Sequence, residues 1–294
     1  MLDAITGFHL ELTNMCTVKC PRCPRTQMIE RFPNKWKNKN IELSDLEKFL
    51  DIDLSGKSFT LCGSYGDPIY HPNLIEIINW IKQKGGLVFL ETNGSYKSKV
   101  WWEQVVENLT PADKVTFSID GTPENFTQYR VNADWNSIRT GIQVVTASNA
   151  KAVWKYIRFK YNQHNIDEVR SLATQMGVDE FELVESDRWI EDDPFKPDIK
   201  PIEKKIVWRT ASVIDPLCIK KNNFHYISAD GYYLPCAWVA SPEFLYKTDL
   251  WKRREDYSIK KTTISNILTS HLGDFYKTLV TDQQAHCKYQ CSGN

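Results

Sequence analysis

Cys16-Thr-Val-Lys-Cys20-Pro-Arg-Cys23 is the stretch from which the rest of the chain is read. Its three cysteines are spaced C-x3-C-x2-C, directly after an apolar, strand-like run from Phe8 to Leu12. Three thiolates are one ligand short of a closed tetrahedral zinc site, and one short of a fully ligated iron–sulfur cube. A cube held by three cysteines keeps one iron open to a ligand from outside the protein. A zinc knuckle completed by a distant fourth residue uses similar spacings, so the downstream motifs have to separate the two.

Among 294 residues, Lys plus Arg equals Asp plus Glu at 37 each. No net field therefore advertises nucleic acid or anionic lipid as a partner. No apolar run approaches the roughly 20 residues of a membrane span, and the start, Met1-Leu-Asp-Ala-Ile-Thr-Gly7, does not read as a secretory signal. The expectation is a cytoplasmic, monomeric protein with reduced cysteines. Seven of the eight cysteines fall in two groups, 16, 20 and 23 near the start and 218, 236, 287 and 291 toward the end, and clustered reduced thiols point to metal. Cys62 stands alone at the end of an apolar run and reads as a small core residue.

Short apolar runs alternate with amphipathic segments up to about residue 190. The strand candidates are Phe8–Leu12, Ser58–Cys62, Leu87–Glu91, Lys114–Ile119, Val153–Lys160 and Glu180–Val184. Between them, Leu74, Ile77, Ile78 and Ile81 share one helical face behind His71-Pro-Asn73. Ser44 to Glu47 and Asn165 to Glu168 have capping-box spacing, and Gly85-Gly86 and Gly177 sit where helices should stop. Strands alternating with helices predict a parallel α/β sheet, and periodicity leaves a doubly wound sheet and a barrel both open. A charged, proline-bearing stretch over 185–201 predicts a crossover to a smaller unit. In that unit Ala229-Asp-Gly231 between Phe224–Ser228 and Tyr232–Cys236 is a hairpin signal.

Three further motifs close strand candidates: Tyr65-Gly66-Asp67-Pro68, Glu91-Thr92-Asn93-Gly94 and Ser118-Ile-Asp120-Gly121. Along the fourth strand Thr116, Ser118 and Asp120 share one face, and polar residues at the ends of barrel strands line a site. With the cysteine triad, these motifs make the chain resemble the radical S-adenosylmethionine (SAM) superfamily over essentially its whole length. The Gly231-x3-Pro235-Cys236 hairpin resembles the twitch domain, a shortened relative of the SPASM domain.

The resemblance implies a partial (β/α)6 TIM-like barrel with a small C-terminal α+β twitch domain containing a β-hairpin. Its boundaries would be 1–190 for the core, 191–213 for the crossover and 214–294 for the auxiliary domain. It implies that Cys16, Cys20 and Cys23 ligate a [4Fe-4S] cluster that binds SAM. Cys218, Cys236, Cys287 and Cys291 would hold a second, auxiliary [4Fe-4S] cluster, with zinc as the alternative for four thiolates. It implies that Tyr65, Gly66, Asp67, Thr92, Asn93, Ser118, Asp120 and Arg130 lie near SAM or substrate, with Arg130 on the SAM carboxylate. Asn162 and His164 are further cavity candidates. Two departures stand out: Asp67 replaces the family's longer acid, and Arg22 replaces an aromatic residue that lies by the adenine.

The activity implied is reductive cleavage of SAM to a 5′-deoxyadenosyl radical and hydrogen abstraction from a carbon of a small-molecule or peptide substrate. The product would be oxidised through the auxiliary cluster, with flavodoxin or ferredoxin as electron donor. The alternatives are a redox-neutral rearrangement or cyclisation, and an iron–sulfur or zinc scaffold without turnover.

Overall fold

The computed structural model describes residues 2–186, 189–199, 223–240 and 248–274, together with 218, 245, 246, 277, 287 and 291. The fold is carried by one eight-stranded sheet of order β6-β5-β4-β3-β2-β1-β7-β8. The strands are β1 (Gly7–Leu10), β2 (Ser58–Leu61), β3 (Leu87–Thr92), β4 (Lys114–Ser118), β5 (Lys151–Ile157), β6 (Glu180–Val184), β7 (Phe224–Ile227) and β8 (Tyr233–Leu234). Every pairing from β6 through β1 to β7 is parallel, and only β8 runs antiparallel, on β7. This is the partial barrel the sequence implies, with its C-terminal hairpin.

The alternation of each strand sorts its residues into two layers. Phe8, Leu10, Phe59, Leu61, Val88, Leu90, Val115 and Phe117 are almost fully buried and belong to one core with the helices. The intervening residues, His9, Thr60, Phe89 and Glu91 among them, are half-buried along the inner face. Helix α3 (Leu74–Gln83) buries Leu74, Ile77, Ile78, Trp80 and Ile81, which is the face its period predicts. Each such aliphatic side chain contributes about 1.5–3 kcal/mol relative to exposure. Gly86 sits against Ile81 and Phe59, where a Cβ would come within 2.8 Å of the isoleucine. Gly85 and Gly177 have φ of +75° and +78° and end their helices as expected.

Some local expectations shift. Helix α2 (Leu43–Phe49) starts at a Glu42 cap, so Ser44 lies inside the first turn and forms no capping box. Asn165 does cap α6 (Ile166–Gln175), but its side chain donates to Glu168 Oε2 at 2.8 Å rather than accepting from the backbone. Strand β5 begins two residues earlier than the apolar run suggests because Lys151 pairs with Lys114.

The hairpin is not a separate sheet. β7 lies in register on β1, Tyr226 opposite His9, so β1 sits between the barrel and the hairpin. Gly231, with φ of +80°, makes the predicted turn. Residues 189–199 do not simply leave the core: Lys160 N–H donates to Phe195 O at 2.9 Å, and Arg22 pairs with Asp193 at 2.9 Å. Most of the expected crossover, its residues 200–213, lies outside the described residues.

Candidate active site

The cysteine loop and the three motifs that follow it lie at the carboxyl ends of β1 to β4. The cysteine loop leaves β1 and re-enters helix α1 (Pro24–Arg31), for which Cys23 is the N-cap residue. Its path is fixed by backbone bonds, Asp67 N–H to Met15 O and Lys19 N–H to Val131 O, both at 2.9 Å. Gly66 is required here, since a Cβ would lie 2.0 Å from Thr13 O. Cys16 and Cys20, and Cys20 and Cys23, are near enough for their charges to act on each other. All three cluster with Val18, Tyr129 and Phe159.

Two of the sulfurs receive a side-chain N–H donor. Asn93 Nδ2 donates to Cys16 Sγ at 3.6 Å, and Arg130 Nη1 donates to Cys20 Sγ at 3.9 Å. Each donor is held by a buried acid. The Asp67 carboxylate accepts from Ile69 N–H (3.2 Å), Thr92 Oγ1 (2.8 Å), Asn93 N–H (2.6 Å) and the Asn93 amide. Asp120 accepts from Arg130 Nε at 2.7 Å and from Ile157 N–H at 2.8 Å. Burial raises the pKa of both acids, and the hydrogen bonds oppose it. Burial also pushes the Cys20 thiol up to about 11, against the pull of Arg130. Buried thiols furnished with N–H donors are a donor set suited to an electropositive iron centre, which would hold them as thiolates.

Several predicted contacts land elsewhere. Arg22 is engaged with Asp193 at 2.9 Å. The aromatic material beside the loop comes instead from Tyr129 and Phe159, stacked at 4.1 Å, with Tyr161, Trp189 and Phe195 around them. Ser118 is on the inner face opposite Lys155. Asn162 is fully buried and donates to the carbonyls of Asp120 (2.9 Å) and Ile157 (3.0 Å), a brace rather than a cavity contact. His164 is exposed. Cys62 is no plain core residue: its thiol donates to Glu91 Oε2 at 3.7 Å, and Glu91 pairs with Lys155 at 3.1 Å.

Sequence reading missed Glu11. It is 2% exposed, accepts from Tyr65 N–H at 2.5 Å and from the Tyr226 hydroxyl, and burial raises its pKa to about 7. The signal was available: in His9-Leu-Glu11-Leu12 the polar residues alternate with the leucines, which places Glu11 on the inner face.

The C-terminal cysteines also converge. Cys218 and Cys236 lie within hydrogen-bonding reach of each other, and Cys287 and Cys291 lie within electrostatic reach. Among the described residues no three His, Cys, Asp or Glu side chains have the spacing of a single bound metal ion. Nor, among them, is any helix long and apolar enough to cross a membrane.

The chain aligns with solved structures over nearly its full length. Streptococcus suis SuiB bound to S-adenosylmethionine superposes with a TM-score of 0.64 at 12% identity, over 99% of this chain and 72% of that one. This is the fold of the radical SAM enzymes. Native anSMEcpe with bound AdoMet and the Kp18Cys peptide matches with a TM-score of 0.58 at 14% identity, over 90% of this chain and 80% of that one. No family model matches the sequence. A curated relative, the tungsten-containing aldehyde ferredoxin oxidoreductase cofactor-modifying protein of Pyrococcus furiosus, is 25% identical over 120 residues. That match takes in 39% of this chain and 31% of the relative.

Proposed function

We propose that the protein is a radical SAM enzyme that oxidises a carbon centre of its substrate. The observation that carries this reading is the paired support of the cysteine loop, Asn93 on Cys16 and Arg130 on Cys20, each donor fixed by its own buried acid. Cys16, Cys20 and Cys23 would hold the [4Fe-4S] cluster, with SAM over Gly66 and Asn93. When bound, that cluster supplies the electron that splits SAM into methionine and a 5′-deoxyadenosyl radical.

The chain's own residues do the rest. Asp67, Thr92 and Asn93 lock the loop after β2 to the loop after β3. Arg130 is paid for in charge by Asp120 and keeps further N–H groups for a carboxylate. The ring cluster of Tyr129 and Phe159 supplies an apolar flank for a base. Cys218, Cys236, Cys287 and Cys291 would hold a second cluster. Such a cluster would supply an acceptor for the electron that the substrate carbon must lose, after hydrogen abstraction, to reach a closed-shell oxidised product. Solved relatives bind a precursor peptide or the Kp18Cys peptide, and the curated relative modifies a cofactor. The test is anaerobic reconstitution with iron and sulfide, then assay for 5′-deoxyadenosine from SAM and dithionite. A reconstituted chain that binds SAM but releases no deoxyadenosine overturns the reading.

A further inference from the structure

A cavity of about 350 Å³ opens between the loop that follows α1 and the hairpin of β7 and β8. Glu11 and Tyr226 line it from the barrel side, Trp36 and Tyr65 from the loops, and Tyr246 and Trp251 from the C-terminal segment. The wall is held in place by Asn14, whose side chain donates to Lys37 O at 2.8 Å and accepts from Lys39 N–H at 2.7 Å. The rings are close neighbours, Trp36 and Tyr65 at 6.3 Å and Tyr246 and Trp251 at 4.6 Å.

We propose that this cavity is the substrate site and that it takes a ligand with a protonated amine on a planar or apolar body, the amine pairing with Glu11. The proposal rests on the reading of the chain as a radical SAM enzyme and adds to it the chemistry of the substrate. Glu11 is a carboxyl buried without a counter-charge. Its hydrogen-bond partners, Tyr226 O–H and the backbone N–H groups of Tyr65 and Ser64, are neutral, and among the described residues no Lys, Arg or His pairs with it. Three donors on a carboxylate with about four acceptor positions leave it room for a further donor. A buried acid of this kind either stays protonated or waits for a cation, and rings around it favour a cation on their faces.

The other titratable groups facing Glu11 are Asp230, the thiol of Cys62, which burial keeps neutral, and the surrounding phenols, with His9 beside Tyr226. Asp230 is paired with Lys39, His9 is half-buried against the Tyr226 ring, and the phenols of Tyr65, Tyr226 and Tyr246 all have raised pKa values through burial. Lys35 and Lys37 are exposed at the rim, where water and salt screen them from a cation bound at depth. They suit a ligand that carries an acid at its far end. Burial raises the Glu11 pKa to about 7, so the carboxylate becomes available across the neutral range.

The probe is phenethylamine, with 2-phenylethanol as its neutral counterpart, titrated calorimetrically into the full-length reconstituted chain at pH 6 and pH 8. Phenethylamine stays protonated throughout, while the ionised fraction of Glu11 rises about tenfold. The expected result is an amine affinity that rises by a comparable factor, with the alcohol weaker and insensitive to pH. Glu11→Gln should remove the pH dependence and weaken the amine without weakening the alcohol. Trp251→Leu, away from the carboxyl, should weaken both ligands. Equal binding of alcohol and amine at pH 8, no binding of either, or an amine affinity that falls as pH rises would each overturn the proposal. The last outcome identifies Glu11 as a neutral hydrogen-bond donor instead. Should Glu11→Gln fail to fold, the amine–alcohol contrast in the wild-type chain still decides. Deoxyadenosine release in the same preparation separates the two readings. Cleavage of SAM without amine binding overturns only the cavity assignment, and amine binding without cleavage only the enzymatic one.

Discussion

Replacing Asp67 with Ala tests whether this acid is a brace or a ligand for SAM. The carboxylate serves four donors, the N–H groups of Ile69 and Asn93, the Thr92 hydroxyl and the Asn93 amide. The hydroxyl and the amide can rotate toward other acceptors, but the two backbone groups cannot. A buried donor left unsatisfied costs about 1–3 kcal/mol, so the two together cost about 2–6 kcal/mol. Relief of the acid's own desolvation, which raises its pKa, offsets part of that. A net loss of about 2–4 kcal/mol is a large share of the about 5–15 kcal/mol that stabilises a typical domain. At about 2–4 °C per kcal/mol, the midpoint of thermal unfolding should fall by about 5–15 °C. Asp67→Asn should lie between, since it keeps one oxygen but sets an amide N–H against the Asn93 donors. The assay is thermal and urea unfolding of the full chain, with SAM affinity measured on the same samples. A midpoint within about 2 °C of wild type, with SAM binding lost, would refute the brace and restore the carboxylate as a direct contact to SAM.

Glu11 gives a signed pH effect. Its folded pKa is about 7 against an ordinary value of 4.5, so the native state binds the proton more tightly and stability falls as pH rises between those values. The loss is about 3 kcal/mol, and urea unfolding of Glu11→Gln should show a correspondingly flatter pH profile; an unchanged slope would place the burial of Glu11 in doubt. Ala at Cys16, Cys20 or Cys23 should abolish deoxyadenosine formation, and residual cleavage at the wild-type rate would remove that residue from the ligand set. Anaerobic reconstitution should give about eight irons per chain, two cubes' worth, and about four irons with one bound zinc would refute the second cluster. Ala at Cys236 or Cys291 should leave SAM cleavage measurable and stop product formation; full turnover would point to a redox-neutral rearrangement.

The alternation of strands and helices was legible because its signals are local, whereas the choice of a barrel over a doubly wound sheet came from the family resemblance. Alternation in Val88, Leu90, Val115 and Phe117 and the helical face of Leu74, Ile77, Ile78 and Ile81 depend only on near neighbours, and the same is true of the Gly85 and Gly231 turns. The attachment of β7 to β1 was not legible, because it joins residues more than 200 positions apart through backbone bonds that carry no side-chain signature. The site shows the same division. Spacing brought forward Cys16, Cys20 and Cys23, and the family resemblance brought forward Asp67 and Asp120. The partners that decide what those residues do, Asn93 for Cys16 and Asp193 for Arg22, are set by tertiary placement. Asn162 and His164 were read as equivalent, yet one is fully buried and the other exposed, because a turn between two elements follows no period.

The two acids share a single design. Asp67 holds Asn93 with a strong, charge-assisted pair of bonds, and Asn93 donates to Cys16. Asp120 holds Arg130 in the same way, and Arg130 donates to Cys20. In each case the acid stands one residue removed from the sulfur and fixes the direction of an N–H group toward it, and such outer partners would tune a cluster held by those sulfurs. The short side chain at 67 follows from this geometry. Gly66 brings the backbone of this loop against Thr13, and Asp67 must then reach the first residues past β3 while its own N–H bonds Met15. A longer acid in that space would have to displace the Asn93 side chain that it orients. The departure at residue 67 therefore reads as an adjustment to close packing between the two loops, and it leaves the support of the cysteine loop intact.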